Sequence, residues 1–370
     1  MGFGCMRLPT TDKNPQSDKV DEAEAIRMIR HSIDQGVNYI DTAYPYHNGT
    51  SEVVLGKALE NGYREMVRVA TKSPVWQVGS PADFDKYLDE QLKRLNTDFV
   101  DFYLFHGLTE KRWTETVLEH NLLERAEAAL GEGKVKHIGF SFHDKYEAFE
   151  KIVDGYDKWD FCQIQYNYMD TDNQAGTKGL RYAASKGLGV VIMEPLLGGR
   201  LANPPKTIMD ILTGKGGVRN PVDVALQWIW DQPEVSVILS GMSTMDQVEA
   251  NLVYADRSKI GSFRRADHEL VDQIRETYRS MIPIPCTGCS YCMPCPNGVD
   301  IPHNFELYNN GFIHEDMRAS RMTYSRFVPE SERASACTQC MECEEKCPQK
   351  IRISELMPKV HEALGEKKTQ

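Results

Sequence analysis

The residues with the most chemistry in them are cysteines, and most of them stand together. Of the ten in this 370-residue chain, eight form two runs, Cys286-x2-Cys289-x2-Cys292-x2-Cys295-Pro296 and Cys337-x2-Cys340-x2-Cys343-x3-Cys347-Pro348. Only Cys5 and Cys162 lie outside. Three thiolates spaced three residues apart converge on one face of an iron–sulfur cubane, a fourth cysteine from elsewhere completes it, and proline then turns the chain away. Cysteines this close in sequence make poor disulfide staples for one another. Zinc is the competing reading, because four-cysteine zinc sites also use Cys-x2-Cys pairs. Zinc ribbons, however, hold two such pairs well apart and do not string four cysteines before a proline. The spacing therefore favours two [4Fe-4S] clusters with all eight cysteines as ligands.

A second set of reactive groups is spread through the N-terminal half: a carboxylate, Asp41; a phenol, Tyr46; an ammonium, Lys72; and an imidazole, His106. Singly, each reads as a cap, a salt-bridge partner or a satisfied polar residue. Their meaning depends on what positions them. Composition sets the bounds. With 43 Lys+Arg against 54 Asp+Glu the net charge is −11, which argues against nucleic acid or an anionic membrane surface as a partner. No apolar run approaches the roughly 18 residues of a spanning helix, and no charged, apolar and cleavable leader pattern opens the chain. The length suits one large barrel with a small appendage, or two ordinary domains.

Ahead of Cys286, short apolar runs alternate with amphipathic ones. Strand-like runs are Gly2–Met6, Asn38–Ala43, Met66–Lys72, Phe99–His106, Val135–Ser141, Phe161–Asn167, Gly189–Glu194 and Val235–Gly241. Helical patterns fall at Glu22–Gln35, Ser51–Glu60, Ala82–Leu95, Leu122–Glu132, Lys145–Val153, Thr177–Lys186, Val222–Trp230 and Met245–Val253. Strand and helix alternating eight times, with strands apolar on both faces, predict an α/β chain folded as a (β/α)8 TIM barrel. In that fold chemistry sits at the C-terminal ends of the strands. Asp41, Lys72 and His106 close the second, third and fourth strands, and Tyr46 follows the second. The barrel is expected over residues 1–265, a charged helical linker over 266–285 ending at Met281-Ile-Pro-Ile-Pro285, and a small cluster domain over 286–370. Within the last, Asn304–Tyr308, Met317–Met322 and Ile353–Leu364 read as helical, ahead of a Lys-rich end. No internal repeat is apparent.

The ordered set within Asp41-Thr-Ala-Tyr-Pro-Tyr46, Ala70-Thr-Lys72 and Phe105-His106 resembles the aldo-keto reductase family. The likeness continues in Ile138-Gly-Phe-Ser141, Gln163-Ile-Gln-Tyr-Asn167, Glu194-Pro-Leu196, Leu239-Ser-Gly241 and Gln247-Val-Glu-Ala-Asn251, over about residues 1–265. A barrel followed by clusters looks like the iron–sulfur subgroup of that family, common in prokaryotes. The resemblance implies an NAD(P)H-dependent oxidoreductase that interconverts a small carbonyl compound and its alcohol by hydride transfer. Tyr46 would give a proton to the developing oxyanion, Lys72 would ease its loss, Asp41 would hold Lys72, and His106 would orient the carbonyl or relay a proton.

The same resemblance places a nucleotide. Cys5, Met6 and Arg7 would lie beside it; Ser141 and Gln163 would hold its carboxamide; Leu196 to Gly198, after Pro195, would match a pyrophosphate loop; and Gly241, Ser243, Gln247 and Asn251 would form the adenine end. Four positions depart from the family. Phe142 stands where Asn is usual, and Met193 stands where an aromatic residue often stacks on the nicotinamide, a face that a soft thioether can cover. Ser243 and Gln247 occupy positions that often carry the cation for a 2′-phosphate, so NADH and NADPH both remain open. The chain also starts directly in its first strand, where the family usually begins with a β-hairpin.

The cluster segment resembles the α-helical two-cluster ferredoxins of fumarate reductase-like electron-transfer subunits. In two-cluster ferredoxins the cysteine before proline serves the other cluster, which would assign Cys286, Cys289, Cys292 and Cys347 to one cubane and Cys337, Cys340, Cys343 and Cys295 to the other. The x2 spacing before Cys295, against the usual x3, leaves that crossover open. A hydride carries two electrons while each cluster takes one, and no flavin pattern is present to divide the pair. Two readings follow: an enzyme whose clusters are structural or serve a one-electron redox partner protein, or an electron-transfer module with a nucleotide-sensing barrel as scaffold. The intact tetrad favours the first. Exposed clusters further predict a reducing, cytoplasmic setting. Anaerobically purified protein should be brown and hold about eight Fe and about eight sulfide per chain, as two cubanes require; zinc without sulfide would contradict the assignment.

Overall fold

A computed structural model describes residues 1–14, 17–214, 218–286, 288, 291–313, 315–347 and 349–365. The chain forms two compact units, residues 1–201 with 222–265, and residues 202–221 with 266–370. Segment 202–221, placed in the barrel by its sequence position, and 266–285, read as a linker, both group with the second unit.

In the first unit eight strands close into a barrel: β1 (Gly2–Gly4), β2 (Tyr39–Asp41), β3 (Arg68–Ser73), β4 (Val100–Leu108), β5 (Val135–Phe142), β6 (Phe161–Gln165), β7 (Gly189–Met193) and β8 (Val237–Gly241). Every neighbouring pair is parallel, and β1 closes the ring on β8. The eight expected helices are present with shifts of a few residues at their ends. Their sequences explain them. Glu22–Asp34 is capped by the Asp21 carboxylate accepting from Glu24 N, and it buries Ala25, Met28, Ile29 and Ile33, an i, i+3, i+4 stripe facing the strands. Pro81 starts the helix to Leu95, which ends on left-handed Asn96, the asymmetry that proline and asparagine favour.

Two strand ends differ from the sequence expectation for local reasons. β1 stops at Gly4, and Cys5–Arg7 form a helical turn instead. β8 begins at Val237 because Val235 N is bonded to Gln232 O in a turn at 3.2 Å.

Inside the barrel, Tyr39, Ala70, Leu104, Phe161, Val191 and Leu239 pack as one apolar cluster, with Phe102 and Val237 against it. Side chains along a strand return to the same face every second residue. Two residues beyond each member of that cluster stand Asp41, Lys72, His106, Gln163, Met193 and Gly241. The apolar layer thus supports a polar layer toward the strands' C-terminal ends, and the two share one register. Gly139 belongs to the lower layer on β5: a Cβ there would meet the Phe161 ring and carbonyl at 2.5 Å, so glycine makes room for Phe161 and Ser141 follows above.

The second unit is helical, with Arg265–Ser280, Ile301–Ile313, Met317–Phe327, Glu342–Lys346 and Ile353–Leu364. Phe305, Ile301, Tyr324, Met357, Val360 and Leu364 form its core, with Cys292, Cys343 and Cys347 buried among them. Among the described residues no helix is long and apolar enough to cross a membrane.

Candidate functional site

Lys72 is 1% exposed at the end of β3, and its ammonium spends its three N–H groups close by. It donates to Asp41 Oδ1 at 2.6 Å, to the Thr42 carbonyl at 2.8 Å and to the Tyr46 hydroxyl at 3.4 Å. A buried ammonium without such partners would be strongly penalised. The His106 ring stands edge-on to Tyr46 with centroids 6.0 Å apart. His106 is delivered by an irregularity: the register of β4 on β5 shifts between Phe105 and Leu108, and Gly107 there has φ +62°, a conformation that costs glycine least. The four sequence-predicted residues are therefore gathered at one place.

A second polar network fixes the backbone behind Lys72. Gln91 Nε2 donates to the Lys72 carbonyl at 3.1 Å and to Glu52 Oε1 at 2.7 Å. Thr71 donates to the same carboxylate at 2.6 Å, and Arg94 pairs with its other oxygen at 3.1 Å. Sequence reasoning missed this network, although Glu52 and Gln91 on core-facing helix positions were a signal for it.

Electrostatics sort the groups. Burial pushes the Asp41 carboxyl up against the pull of Lys72. For Lys72 burial works downward, but Asp41 and Tyr46 outweigh it and hold its pKa above the ordinary ammonium value. Tyr46 is raised above an ordinary phenol by burial, with Lys72 opposing. His106 falls well below an ordinary imidazole through burial and then the Lys72, His143 and Arg112 charges. At neutral pH the site thus offers a protonated phenol and a neutral imidazole.

The expected nucleotide residues divide. Ser141 and Gln163 are register partners on β5 and β6. The Ser141 hydroxyl accepts from Gly107 N at 2.7 Å, which leaves its proton to donate, and the buried Gln163 Oε1 has no hydrogen-bond partner among the described residues. One donor beside one orphan acceptor fits a carboxamide, which presents the reverse pair. Arg7 Nη2 donates to Gly198 O at 3.2 Å, its own carbonyl accepts from Ser243 Oγ at 2.8 Å, and its side chain lies 3.4 Å from where a Gly241 Cβ would sit. Arg7, Gly198, Gly241 and Ser243 thus form one basic, glycine-lined corner, suited to a pyrophosphate. Gly198 and Gly199 take φ +67° and +98°, which requires their lack of a side chain.

Cys5 is fully buried, with Asp41 and Lys72 among the charges acting on its thiol, and Met6 is 51% exposed. Gln247 Oε1 accepts from Ser243 N at 2.8 Å, and buried Asn251 donates to Ser240 Oγ at 2.9 Å, so both brace the turn after β8. Phe142 is buried, Met193 and Leu196 are half-buried beside buried Pro195. Trp76, Arg112 and His143, unforeseen in the sequence, gather beside His106.

In the second unit the described cysteines are all free of disulfides. Cys289 and Pro348 lie outside the described residues. Cys337 Sγ accepts from Gln339 N at 3.4 Å, and Cys340 Sγ from Asn297 Nδ2 at 3.9 Å. Asn297 follows the first cysteine run, so the two runs meet there. Cys343 is pushed up to about 11 by burial, with Cys337 and Cys292 among the charges acting on it. Among the described residues no three metal-ligating side chains close on a single-ion site.

Contrary to the sequence reading, the cluster segment carries an internal repeat. After Cys295, Gly298 (φ +79°) turns back to bond the Cys295 carbonyl at 3.0 Å; after Cys347, Lys350 (φ +53°) bonds the Cys347 carbonyl at 3.1 Å. Ile301 and Ile353 then each open a helix, bonding back to Val299 O and Ile351 O at 3.1 and 2.9 Å. Gly288 and Gln339, at equivalent places inside the two runs, are both left-handed at φ +68° and +58°. The likeness is short in sequence and diverges once the helices start, which hid it.

Residues 1–276 match the model of the Aldo/keto reductase family, and residues 285–351 that of the 4Fe-4S dicluster domain. An uncharacterised oxidoreductase of Schizosaccharomyces pombe is 26% identical, the match covering 68% of this chain and 80% of that protein. An L-galactose dehydrogenase of Arabidopsis thaliana is 29% identical, with 68% and 82% covered. An aldo-keto reductase of Klebsiella pneumoniae, solved in complex with NADPH, superposes with a TM-score of 0.59 at 23% identity, over 74% of this chain and 90% of that one.

All five tryptophans lie in the barrel unit, so their fluorescence follows its unfolding by urea. Lys72→Met should destabilise it by about 3–5 kcal/mol, because Asp41 is left buried without its counter-charge. Adding Asp41→Leu should restore most of the loss; a double variant as unstable as the single would contradict the pairing.

Proposed function

Because the chain belongs to the aldo/keto reductase family, we propose that its barrel is an NAD(P)H-dependent oxidoreductase site that interconverts a small carbonyl compound and its alcohol. The observation that carries this reading is the Lys72 ammonium, held 2.6 Å from Asp41 and 3.4 Å from the Tyr46 hydroxyl.

A bound nicotinamide would supply the hydride. Everything else falls to the chain. As a carbonyl is reduced its oxygen gains negative charge, and a donor poised there lowers the barrier. Tyr46 is protonated at neutral pH, and Lys72 stabilises the phenolate left when the proton moves. Asp41 keeps Lys72 charged and in place. His106, held neutral by its surroundings, orients the carbonyl by hydrogen bonding and does not act as the acid.

Ser141 and Gln163 would hold the carboxamide, and the Arg7, Gly198 and Ser243 corner the pyrophosphate. The NADPH bound by the Klebsiella pneumoniae relative supports a dinucleotide along this line. With Ser243 and Gln247 near its adenine end, both NADH and NADPH suit the site. The dicluster domain would carry two [4Fe-4S] clusters on its eight cysteines. They stand outside the hydride step, holding the domain's fold or passing single electrons to a partner protein.

Tyr46 must be protonated and His106 neutral for reduction. The first is lost only above the raised phenol pKa and the second only below the lowered imidazole pKa, so kcat/KM for carbonyl reduction should be flat between about pH 6.5 and 10. Tyr46→Phe should lower kcat by about 100- to 10,000-fold across that range with nucleotide affinity nearly intact. Unchanged turnover in this variant, or an inflection near pH 6.5 in the parent, would remove these roles.

A further inference from the structure

Beside His106 lies a group of side chains that the reduction step does not use. The His106 ring is 5.0 Å from that of Trp76, and the Arg112 guanidinium lies over the Trp76 ring at 5.3 Å. Tyr46, His106, Trp76 and Arg112 therefore run in sequence from the proton donor outward. Trp76 is 42% exposed, so this run reaches open solvent. Arg112 Nη1 donates to the Gly107 carbonyl, which anchors the guanidinium at the β4 irregularity. An added Gly107 Cβ would lie 3.0 Å from Arg112 Nη1 and 3.8 Å from the His143 ring, so both side chains converge on the same spot.

The charges here run against the rest of the molecule. The chain carries a net charge of −11, yet the groups acting on His106 are Lys72, His143 and Arg112. Lys72 is neutralised by Asp41. Arg112 is not: among the described residues no carboxylate pairs with it, its partners being the Gly107 carbonyl and the Trp76 face. The acids on nearby loops are already engaged. Asp144 accepts from Glu110 N and Lys145 N, both at 2.8 Å, and Glu110 pairs with Lys151 at 2.8 Å. A guanidinium anchored beside His106, with no carboxylate partner among the described residues, is arranged to meet an anion.

We propose that Arg112, stacked on Trp76 and supported by His143, recognises a carboxylate on the substrate, making the preferred substrates oxo-acids or semialdehyde acids and their hydroxy-acid counterparts. One unpaired cation matches a monoanionic carboxylate better than a dianionic phosphate. The inference rests on the reading of the barrel as a carbonyl-reducing site, and it names the class of carbonyl.

Two measurements on the full-length holoprotein test it. In the first, succinic semialdehyde is compared with butanal, which matches its chain but lacks the charge. The parent should favour the acid in kcat/KM by about 100-fold. Arg112→Gln, which keeps a donor for the Gly107 carbonyl but no charge, should bring the ratio near one, and Arg112→Lys should fall between because it keeps charge without the fork. A ratio near one in the parent, or one unchanged in Arg112→Gln, overturns the proposal. In the second, succinate is titrated calorimetrically into the protein loaded with oxidised nucleotide. Its affinity should drop at least about tenfold in Arg112→Gln, and equal affinity overturns the proposal. If neither aldehyde is turned over with NADH or NADPH, the carbonyl reading fails, and the titration still decides whether Arg112 binds a carboxylate.

Discussion

The site is organised around one ammonium that is buried and kept charged. Placing Lys72 at the end of β3, out of water, is tolerable only because Asp41 from neighbouring β2 and the Thr42 carbonyl take up its charge and its donors. The third donor then has one direction left, toward Tyr46. In the proposed reduction that restriction would make an otherwise ordinary phenol the acid of the site. Burial, with the Lys72 charge added to it, keeps His106 neutral, which suits it to the proposed hydrogen-bonding task. The buried Glu52, Thr71 and Gln91 network serves this arrangement from behind by holding the Lys72 carbonyl, so the ammonium is fixed at both ends of its residue.

The barrel provides the geometry through its two-residue period. An apolar layer of Tyr39, Ala70, Leu104, Phe161, Val191 and Leu239 sets the register in which Asp41, Lys72, His106, Gln163 and Met193 face the mouth. A shift of any strand by one residue would move its functional side chain to the outer face. The one strand that breaks the pattern, β4 at His106–Gly107, does so where the imidazole is presented and where Arg112 finds its anchor.

Much of this was legible in the sequence. Eight apolar runs with eight amphipathic partners were enough for the barrel, because strand and helix periods differ and the strands are buried on both faces. The gathering of the tetrad was legible because Asp41, Lys72 and His106 lie at the ends of successive strands and Tyr46 follows the first of these. What escaped were features made by convergence of distant segments. Trp76, Arg112 and His143 come from loops after three different strands and share no spacing. Gln247 and Asn251, matched to a nucleotide by family position, also brace the turn after β8 through Ser243 and Ser240, contacts that no spacing announces. The repeat around Cys295 and Cys347 shows in backbone turns more than in residue identities. For the cysteines of the dicluster domain the spacing itself is the signal, since the proposed cubanes would dictate it.

The proposed hydride site and the proposed clusters would need different electron counts, a pair and single electrons, and the sequence carries no flavin pattern to divide a pair. In the proposed reaction nucleotide oxidation would therefore proceed only through carbonyl reduction at Tyr46. Anaerobic stopped-flow mixing of reduced nucleotide with the oxidised protein, following nucleotide and cluster absorbance together, examines this directly. Without a carbonyl compound both absorbances should hold steady, and with one the nucleotide signal alone should decay. Bleaching of the clusters by nucleotide in the absence of any carbonyl compound would contradict the account and make the barrel an entry point for electrons.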